Sequence, residues 1–296
     1  MKNRMDSYYQ SVGHSWESVG KTQEMLNPQL FTIHGVKDNK SFVAVYVLMT
    51  RKTTDAYKEV FEVLKEKLGG NVSPATMMTD FEQASIKASH AVFPKTAQNG
   101  CFFHFTQALY RHIRLNFPEL RELCNKDYEV NHHIKRICAL AFVPSKDVKA
   151  TFKEFKDSDF FNDFDEIDGF MRYFKSTWIG SKTKGTFPIE LWNCYDAALQ
   201  DLPRTSNLVE GWHNGFSTIV GCSKPNIWKF ITKMKQQQVL TELRIQQREQ
   251  GHEDAPSKKT QERNTRLKKI VSSYSATDRM YYLEKIANYL IDTEDE

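Results

Sequence analysis

The chain has 296 residues, of which 40% are hydrophobic and 12% aromatic, and its formal net charge is +4 from 41 basic and 37 acidic side chains. This length and apolar content allow a sizeable buried core and exclude an intrinsically disordered chain. So small a net charge does not by itself identify a nucleic-acid-binding protein, although it permits one.

Cysteine usage and hydropathy indicate the compartment. The five cysteines include no CxxC pair, which favours reduced thiols over a disulfide framework. No apolar run approaches the roughly 18–20 residues that span a bilayer, and the first residues lack the apolar segment of a signal peptide. We therefore expect an intracellular protein, nuclear or cytoplasmic, with no membrane partner.

The first elements in chain order are two strands and a helix. Residues 1–28 have no apolar period, which predicts a loop or a degenerate, poorly formed first strand. Two runs rich in β-branched and aromatic residues, 29–36 and 41–50, flank a polar turn and predict a β-hairpin. Apolar residues at helical spacing over 53–68, followed by Gly-Gly, predict a core-facing helix.

A second group of elements delivers an aspartate. The apolar run 75–79 predicts a buried strand that ends on Asp80, a helix is predicted over 81–92, and 99–104 reads as another short strand. A hairpin followed by alternating helix and strand implies a mixed sheet with helices on both faces. In such sheets ligands gather at the carboxyl ends of the parallel strands, where Asp80 would lie.

The rest of the chain is predicted to be helical. Residues 106–204 change to a pattern rich in Phe, Tyr and Trp, which predicts a large all-helical insertion. The sheet domain is expected to resume at 205–250 with two helices. The buried face of the first of these is predicted from its apolar residues Trp212, Phe216 and Ile219. Residues 251–296 are predicted to form a helical tail.

Two acidic residues have a structural interpretation and a catalytic one. Asp80 can cap the helix that follows it, and Glu210 lies three residues after Asn207, the spacing of a capping box. Two such carboxylates can instead hold Mg²⁺ or Mn²⁺ ions for phosphoryl transfer, although such a site normally requires a third carboxylate from the first strand.

Cys101 and His104 have the spacing of half a zinc site, but no second half follows at a compatible spacing. A small buried thiol and a hydrogen-bonded histidine are therefore favoured, and zinc is not expected. A zinc-stabilised structural domain centred on this pair stays open as an alternative. It would need two further ligands, such as a cysteine that the fold brings nearby.

Basic side chains concentrate in two predicted helices, 223–248 and 258–269. Such runs form solvated helix faces or contact DNA phosphates. The candidate DNA-binding residues are Arg204, Lys233, Lys258, Lys259, Lys268 and Lys269.

Eight blocks follow one another along the chain: QLFTIHG, VLMTRKTTDAYKEVFEVLKEKL, TDFEQASIKASHAVFP, NGCFFHFTQALYRHI, YFKSTWIG, LWNCY, PRTSNLVEGWHNGF and PNIWKFI. In order and wording they resemble the transposase domain of Mutator-like elements, the MULE transposases, from about residue 29 to residue 250. The resemblance implies a ribonuclease-H-like fold with an Asp-Asp-Glu metal triad that cuts and joins DNA strands during cut-and-paste transposition.

The resemblance also assigns residues. The family's second catalytic Asp falls on Asp80, its catalytic Glu on Glu210, and its Cys-x-x-His signature on Cys101 and His104. The family's first catalytic Asp belongs to a DGTF-like strand before QLFTIHG, where this chain offers Glu17 and no DGT. A glutamate is one methylene longer than an aspartate, and a metal site tolerates displacements of roughly 0.5 Å poorly.

The sequence thus predicts an α/β fold: a ribonuclease-H-like mixed sheet flanked by helices, formed by 29–105 and 205–250, interrupted by the helical insertion and followed by the helical tail. The predicted function is that of a transposase of transposon origin, with Mg²⁺ or Mn²⁺ at Asp80 and Glu210 and with catalysis impaired by the missing first Asp. The expected partner is DNA at transposon ends, and a homo-oligomer is compatible with the sequence. The alternative is a domesticated protein that binds DNA or another partner without chemistry.

Overall fold

The computed structural model describes residues 7–15, 29–37, 40–70, 73–158, 165–180, 185–222, 225–251 and 258–294. The chain forms two compact units. The sheet unit comprises Met1–Gln98 and Thr205–Ala255, and the helical unit comprises Asn99–Arg204 and Pro256–Glu296. Among the helices in these ranges, none combines the length and the apolar character needed to cross a membrane.

Five strands form one sheet: β1 (Ser7–Ser15), β2 (Gln29–Lys37), β3 (Lys40–Met49), β4 (Thr76–Thr79) and β5 (Ala97–Gly100). Their order across the sheet is β3-β2-β1-β4-β5. β1 and β2 are antiparallel, as are β2 and β3, whereas β1 and β4 run parallel. The predicted hairpin of β2 and β3 is confirmed, and the sheet is mixed.

Backbone pairing on both sides forms β1, although its sequence has no regular alternation of apolar residues. On one side, its residues pair with β2 from Ser7 opposite Val36 onwards. On the other side, Tyr9 lies opposite Met78 of β4. A stretch that the sequence leaves between loop and poorly formed strand is thus the central strand of the sheet.

Thirteen α-helices are present in the described ranges: α1 (Thr54–Lys67), α2 (Gln83–Val92), α3 (Phe102–Asn116), α4 (Pro118–Lys126), α5 (Tyr128–Ala139), α6 (Val148–Lys156), α7 (Asp165–Phe174), α8 (Ile189–Trp192), α9 (Tyr195–Leu199), α10 (Asn207–Val220), α11 (Ile227–Glu249), α12 (Lys258–Ser272) and α13 (Arg279–Glu294). A 3₁₀ turn (Leu140–Phe142) follows α5, and a π-helical turn (Lys175–Ile179) follows α7. The chain is mixed α/β and mostly helical.

Both faces of the sheet are buried in the sheet unit. Alternate residues of β2 point to opposite faces. On one face, β2 packs with α1 and α2 in a core of Phe31, Ile33, Met49, Tyr57, Phe61, Leu64, Met77, Ala88, Val92 and Phe93. On the other, Leu30 packs with α10 and α11 through Phe216, Val220 and Phe230. The helix predicted over 53–68 is confirmed as α1, which begins with the Thr53 side chain accepting the Ala56 N–H.

The helical unit has an aromatic core of its own. The Phe105 ring stacks on Trp192 with centroids 5.0 Å apart and meets the edge of Trp178 at 4.9 Å. The Trp192 indole N–H donates to the Trp178 carbonyl oxygen at 3.0 Å, so both tryptophans are fixed in orientation as well as buried. Such ring pairs add about 0.5–1.5 kcal/mol beyond the area that they bury.

The strand predicted over 99–104 is wrong at its carboxyl end. β5 ends at Gly100, Cys101 is extended as the N-cap residue, and α3 begins at Phe102. Three apolar residues in a row do not distinguish a buried strand from a buried helix. The deciding signal lies further along, since Phe105, Leu109 and Ile113 recur at a spacing of four and are all buried.

Candidate functional site

Asp80 is the first residue after β4. Because β1 and β4 are parallel, their carboxyl ends lie at the same edge of the sheet. Asp80 is half-buried, and its Oδ1 accepts the N–H of Glu82 at 3.3 Å. The N-cap of α2 is Glu82, so the interpretation of Asp80 as the helix cap is wrong. Its carboxylate instead closes a short turn between strand and helix.

The carboxylate expected from the first strand is not found in the described part of β1. Residues 7–15 contain no Asp or Glu. Counting on from the pair of Tyr9 with Met78, the position opposite Asp80 is Ser11. Glu17, the residue that the resemblance offers there, lies outside the described residues.

A second carboxylate next to Asp80 escaped the sequence analysis. The side chain of Glu82 is only 22% exposed, and its Oε2 lies 3.7 Å from Nζ of Lys52. Burial is the main cause that raises the pKa of Glu82, and the Asp80 carboxylate raises it further, whereas Lys52 lowers it. Burial and the carboxylate of Glu82 likewise raise the pKa of Tyr57. The edge near Asp80 therefore carries two carboxylates under mutual repulsion, with a lysine beside one of them.

Glu210 lies in the first turn of α10. The helix is capped at Ser206 and not at Asn207, so the predicted capping box is wrong. The Ser206 hydroxyl donates to Oε1 of Glu210 at 2.7 Å, and the Glu210 N–H donates to the Ser206 carbonyl oxygen at 2.9 Å. Glu210 is half-buried and held in place by this serine.

The buried face of α10 differs from the prediction. Ile219 is 40% exposed and Trp212 is half-buried, so only Phe216 of the predicted set is fully buried. The buried residues of the helix are Val209, His213, Phe216 and Val220. The prediction is wrong because it was based on apolar residues alone, whereas the observed buried face includes a histidine.

His213 is inside because it joins a buried chain of hydrogen bonds. Oγ1 of Thr32 lies 3.0 Å from Nε2 of His213 and 3.1 Å from Nε2 of His34. Nδ1 of His34 lies 2.8 Å from Oγ of Ser41. Thr32 and His34 are 0% exposed. Burial, and to a smaller extent His213, lower the pKa of His34 to about 3, so its imidazole is neutral at physiological pH.

The family-signature residues lie in the helical unit, Cys101 as the N-cap residue of α3 and His104 in the first turn of that helix. The sulfur of Cys101 and a ring nitrogen of His104 lie within 4.8 Å of one another. The fold also brings Cys194 towards Cys101, and burial raises the pKa of the Cys194 thiol to about 12. Because zinc binds the thiolate, such burial disfavours Cys194 as a ligand.

The candidate DNA-binding residues differ in how far they are engaged within the protein. Lys268 forms an ion pair with Asp201 at 2.7 Å, and Nη2 of Arg204 donates to Oδ1 of Asn264 at 2.8 Å, so both hold the helical unit together. In the sheet unit, Lys233 donates to Gln236 at 3.1 Å. The exposed members of the set are Lys258, Lys259 and Lys269 on α12.

The family model described as the MULE transposase domain matches residues 21–108, a range that includes Asp80, Cys101 and His104 and stops before Glu210. No curated protein and no solved structure matches the chain. That match supports the resemblance of the chain to MULE transposases over residues 21–108, which is less than a third of its length.

Proposed function

We propose that this chain is a MULE transposase with a ribonuclease-H-like core, interrupted by a helical insertion at 106–204, that acts on transposon DNA in the nucleus. The observation that carries the proposal is the sheet itself. Its order β3-β2-β1-β4-β5, with β1 parallel only to β4, brings Asp80 to the edge where β1 also ends. The helix that carries Glu210, α10, contacts both β1 and β3. Both acidic residues thus belong to elements that adjoin the central strand.

The residues present suit a hard divalent cation. Carboxylate oxygens are the preferred ligands of Mg²⁺ and Mn²⁺, and Asp80 and Glu210 would hold the ion. When bound, such an ion activates a water or a 3′-hydroxyl group and stabilises the leaving oxygen. The protein's own contribution is orientation: the Glu82 N–H fixes one oxygen of Asp80, and the Ser206 hydroxyl fixes one oxygen of Glu210.

The described part of β1 supplies no third carboxylate, which supports impaired catalysis. Position 11, which aligns with Asp80 when the register is extended from the pair of Tyr9 with Met78, is a serine. A serine hydroxyl is neutral and compensates the charge of a cation less well than a carboxylate. We therefore expect cation binding to persist in this chain, with strand cleavage strongly reduced.

The first test compares Mn²⁺ binding with nicking of supercoiled DNA. Asp80→Asn and Glu210→Gln should each lower Mn²⁺ affinity at least tenfold, as measured by electron paramagnetic resonance of the free ion. The matched control is Glu62→Gln, an exposed glutamate on α1 paired only with Lys58 on its own helix. Wild-type affinity in both site variants would rule out the proposed metal centre.

The second test restores the missing charge. Ser11→Asp should produce nicking that depends on Mn²⁺ and on Asp80, whereas Gln10→Asp, one register position earlier on the same strand, should not. Glu17→Asp tests the position that the resemblance indicates. If the unmodified chain nicks DNA efficiently and Asp80→Asn abolishes this activity, the triad is complete and the proposal of impaired catalysis is wrong.

Binding without chemistry is the second candidate function, favoured by the exposed Lys258, Lys259 and Lys269 on α12. Lysines that neutralise phosphates release counterions, so the logarithm of the affinity falls with the logarithm of the salt concentration by about 0.9 for each phosphate contacted. Replacing all three by glutamine should reduce that slope by about 2–3. Replacing Lys58 on α1 is the control and should leave the slope unchanged.

A further inference from the structure

The hydrogen-bond chain beneath α10 is unusual for its location. It lies on the face of the sheet that α10 and α11 cover, next to an apolar cluster that includes Leu30 and Phe216. Burying polar groups there costs free energy unless each finds a partner. The hydrogen-bond chain supplies those partners, and it links three elements, β2, β3 and α10. Only one of its links, from Thr32 to His213, reaches the helix that carries Glu210.

We infer that Thr32 and His213 are positioning residues, whose hydrogen bond sets the register of α10 on the sheet and thereby places Glu210. The consequence for a bound cation rests on the function proposed above. The placement of α10 by this hydrogen bond does not depend on the proposed function, because it concerns the protein alone.

The geometry of the helix connects the two residues. Glu210 and His213 are three residues apart, about 4.5 Å along the axis and about 60° around it, so they are neighbours on the helix surface. Besides the ring contact of Trp212 with His34, α10 meets this face through apolar contacts such as Phe216 against Leu30, and apolar contacts have no direction. A single hydrogen bond between a strand and a helix adds the missing direction. Once His213 is fixed to Thr32, both the rotation and the translation of Glu210 are fixed.

The hydrogen bond between Thr32 and His213 favours one register of α10 over a shifted one. A threonine hydroxyl has one proton to donate, yet Oγ1 of Thr32 lies within hydrogen-bond distance of two imidazoles. At least one of the two rings must therefore donate to Thr32. A helix shifted by one residue would place the Trp212 ring opposite Thr32 in place of His213, and an indole can donate a hydrogen bond through Nε1 but cannot accept one. The shifted arrangement would leave buried polar groups without partners and would be disfavoured.

Two hydroxyl groups of the same chain provide a matched pair of variants. Thr32→Val and Ser41→Ala each remove one hydroxyl bonded to His34, but only Thr32 also bonds α10. Thr32→Ser keeps the hydroxyl and should behave as the parent protein. If Thr32→Val does not fold, the same comparison is made between His213→Leu and His213→Gln, since the glutamine amide can still donate towards Thr32.

Two readouts are taken on the whole chain. The first is the ¹⁹F resonance of 5-fluorotryptophan at Trp212, whose ring lies 5.4 Å from His34 and 5.1 Å from Phe216. The line is assigned with Trp212→Phe. The second readout is Mn²⁺ affinity. Thr32→Val should split or broaden the Trp212 line and weaken Mn²⁺ binding at least fivefold, whereas Ser41→Ala keeps one sharp line and the parent affinity.

The outcomes separate this inference from the proposed function. Equal effects of Thr32→Val and Ser41→Ala on both readouts would refute the positioning role, because the hydrogen-bond chain would then only stabilise the fold. So would an undisturbed Trp212 line in Thr32→Val. If the parent protein binds no Mn²⁺ but the Trp212 line still splits in Thr32→Val alone, the proposed metal centre fails and the positioning role stands.

Discussion

Acid should destabilise the sheet unit through His34. The side chain is 0% exposed, and its pKa in the folded protein is about 3, against an ordinary value of 6.5. Because the folded pKa is the lower one, the unfolded chain takes up the proton first as the pH falls. The contribution to stability is therefore complete above the unfolded pKa and is lost progressively towards the folded one. Linkage gives a loss of about 2 kcal/mol between about pH 7.5 and about pH 5, a large part of the roughly 5–15 kcal/mol that stabilises a typical protein.

The assay is urea unfolding of the full chain at these two pH values, followed by the ¹⁹F line of Trp212. The parent protein should lose about 2 kcal/mol more than His34→Gln, which has no titrating group, even though the variant is less stable near neutral pH. His90→Gln, an exposed histidine on α2, is the control and should follow the parent. Parallel pH dependence in the parent and in His34→Gln would refute the reasoning.

Three further outcomes follow from burial and charge. Glu82→Gln should stabilise the chain near neutral pH, because burial and a neighbouring carboxylate raise the pKa of Glu82. The gain in stability should vanish as acid protonates the carboxyl group of the parent protein, and chemical denaturation at each pH measures it. Phe105→Ala should cost about 3–5 kcal/mol and Phe103→Ala less than about 1 kcal/mol by thermal denaturation, since Phe105 is 0% and Phe103 40% exposed. Glu284→Gln removes the ion pair of α13 with Arg136 on α5, so amide hydrogen exchange should rise in α13 first.

Local patterns predicted part of the fold correctly. The hairpin and α1 follow from alternation and from the helical spacing of Tyr57, Phe61 and Leu64, all of which are buried. Asp80 was expected at the end of a buried strand, and β4 ends at Thr79. In each case the burial of an element is decided by its own residues, so its sequence period is sufficient evidence.

Elements that depend on distant partners were less predictable. β1 is a strand because β2 and β4 bond to its two edges, and the apolar pattern of SYYQSVGHS does not record that pairing. The start of α3 was misplaced because the run after Gly100 is apolar in either conformation. Glu82 was overlooked for a related reason: its environment comes from Lys52 and Tyr57, which lie far away in the sequence.

The rotation of α10 shows how one residue left out of a predicted buried face changes the predicted position of a site residue. With about 100° per residue, a buried face of Trp212, Phe216 and Ile219 would turn Glu210 about 150° away, into solvent. The observed face of Val209, His213, Phe216 and Val220 is rotated by about 60°, which leaves Glu210 about 90° from its centre, at the margin of the packed surface. The difference arises because the predicted face was based on apolar residues alone and did not include His213. His213 is buried where it bonds to Thr32, and by the inference above this bond sets the rotation of Glu210. A polar residue in a strand buried on both faces, such as Thr32 in β2, is the sequence signal that would have indicated this arrangement.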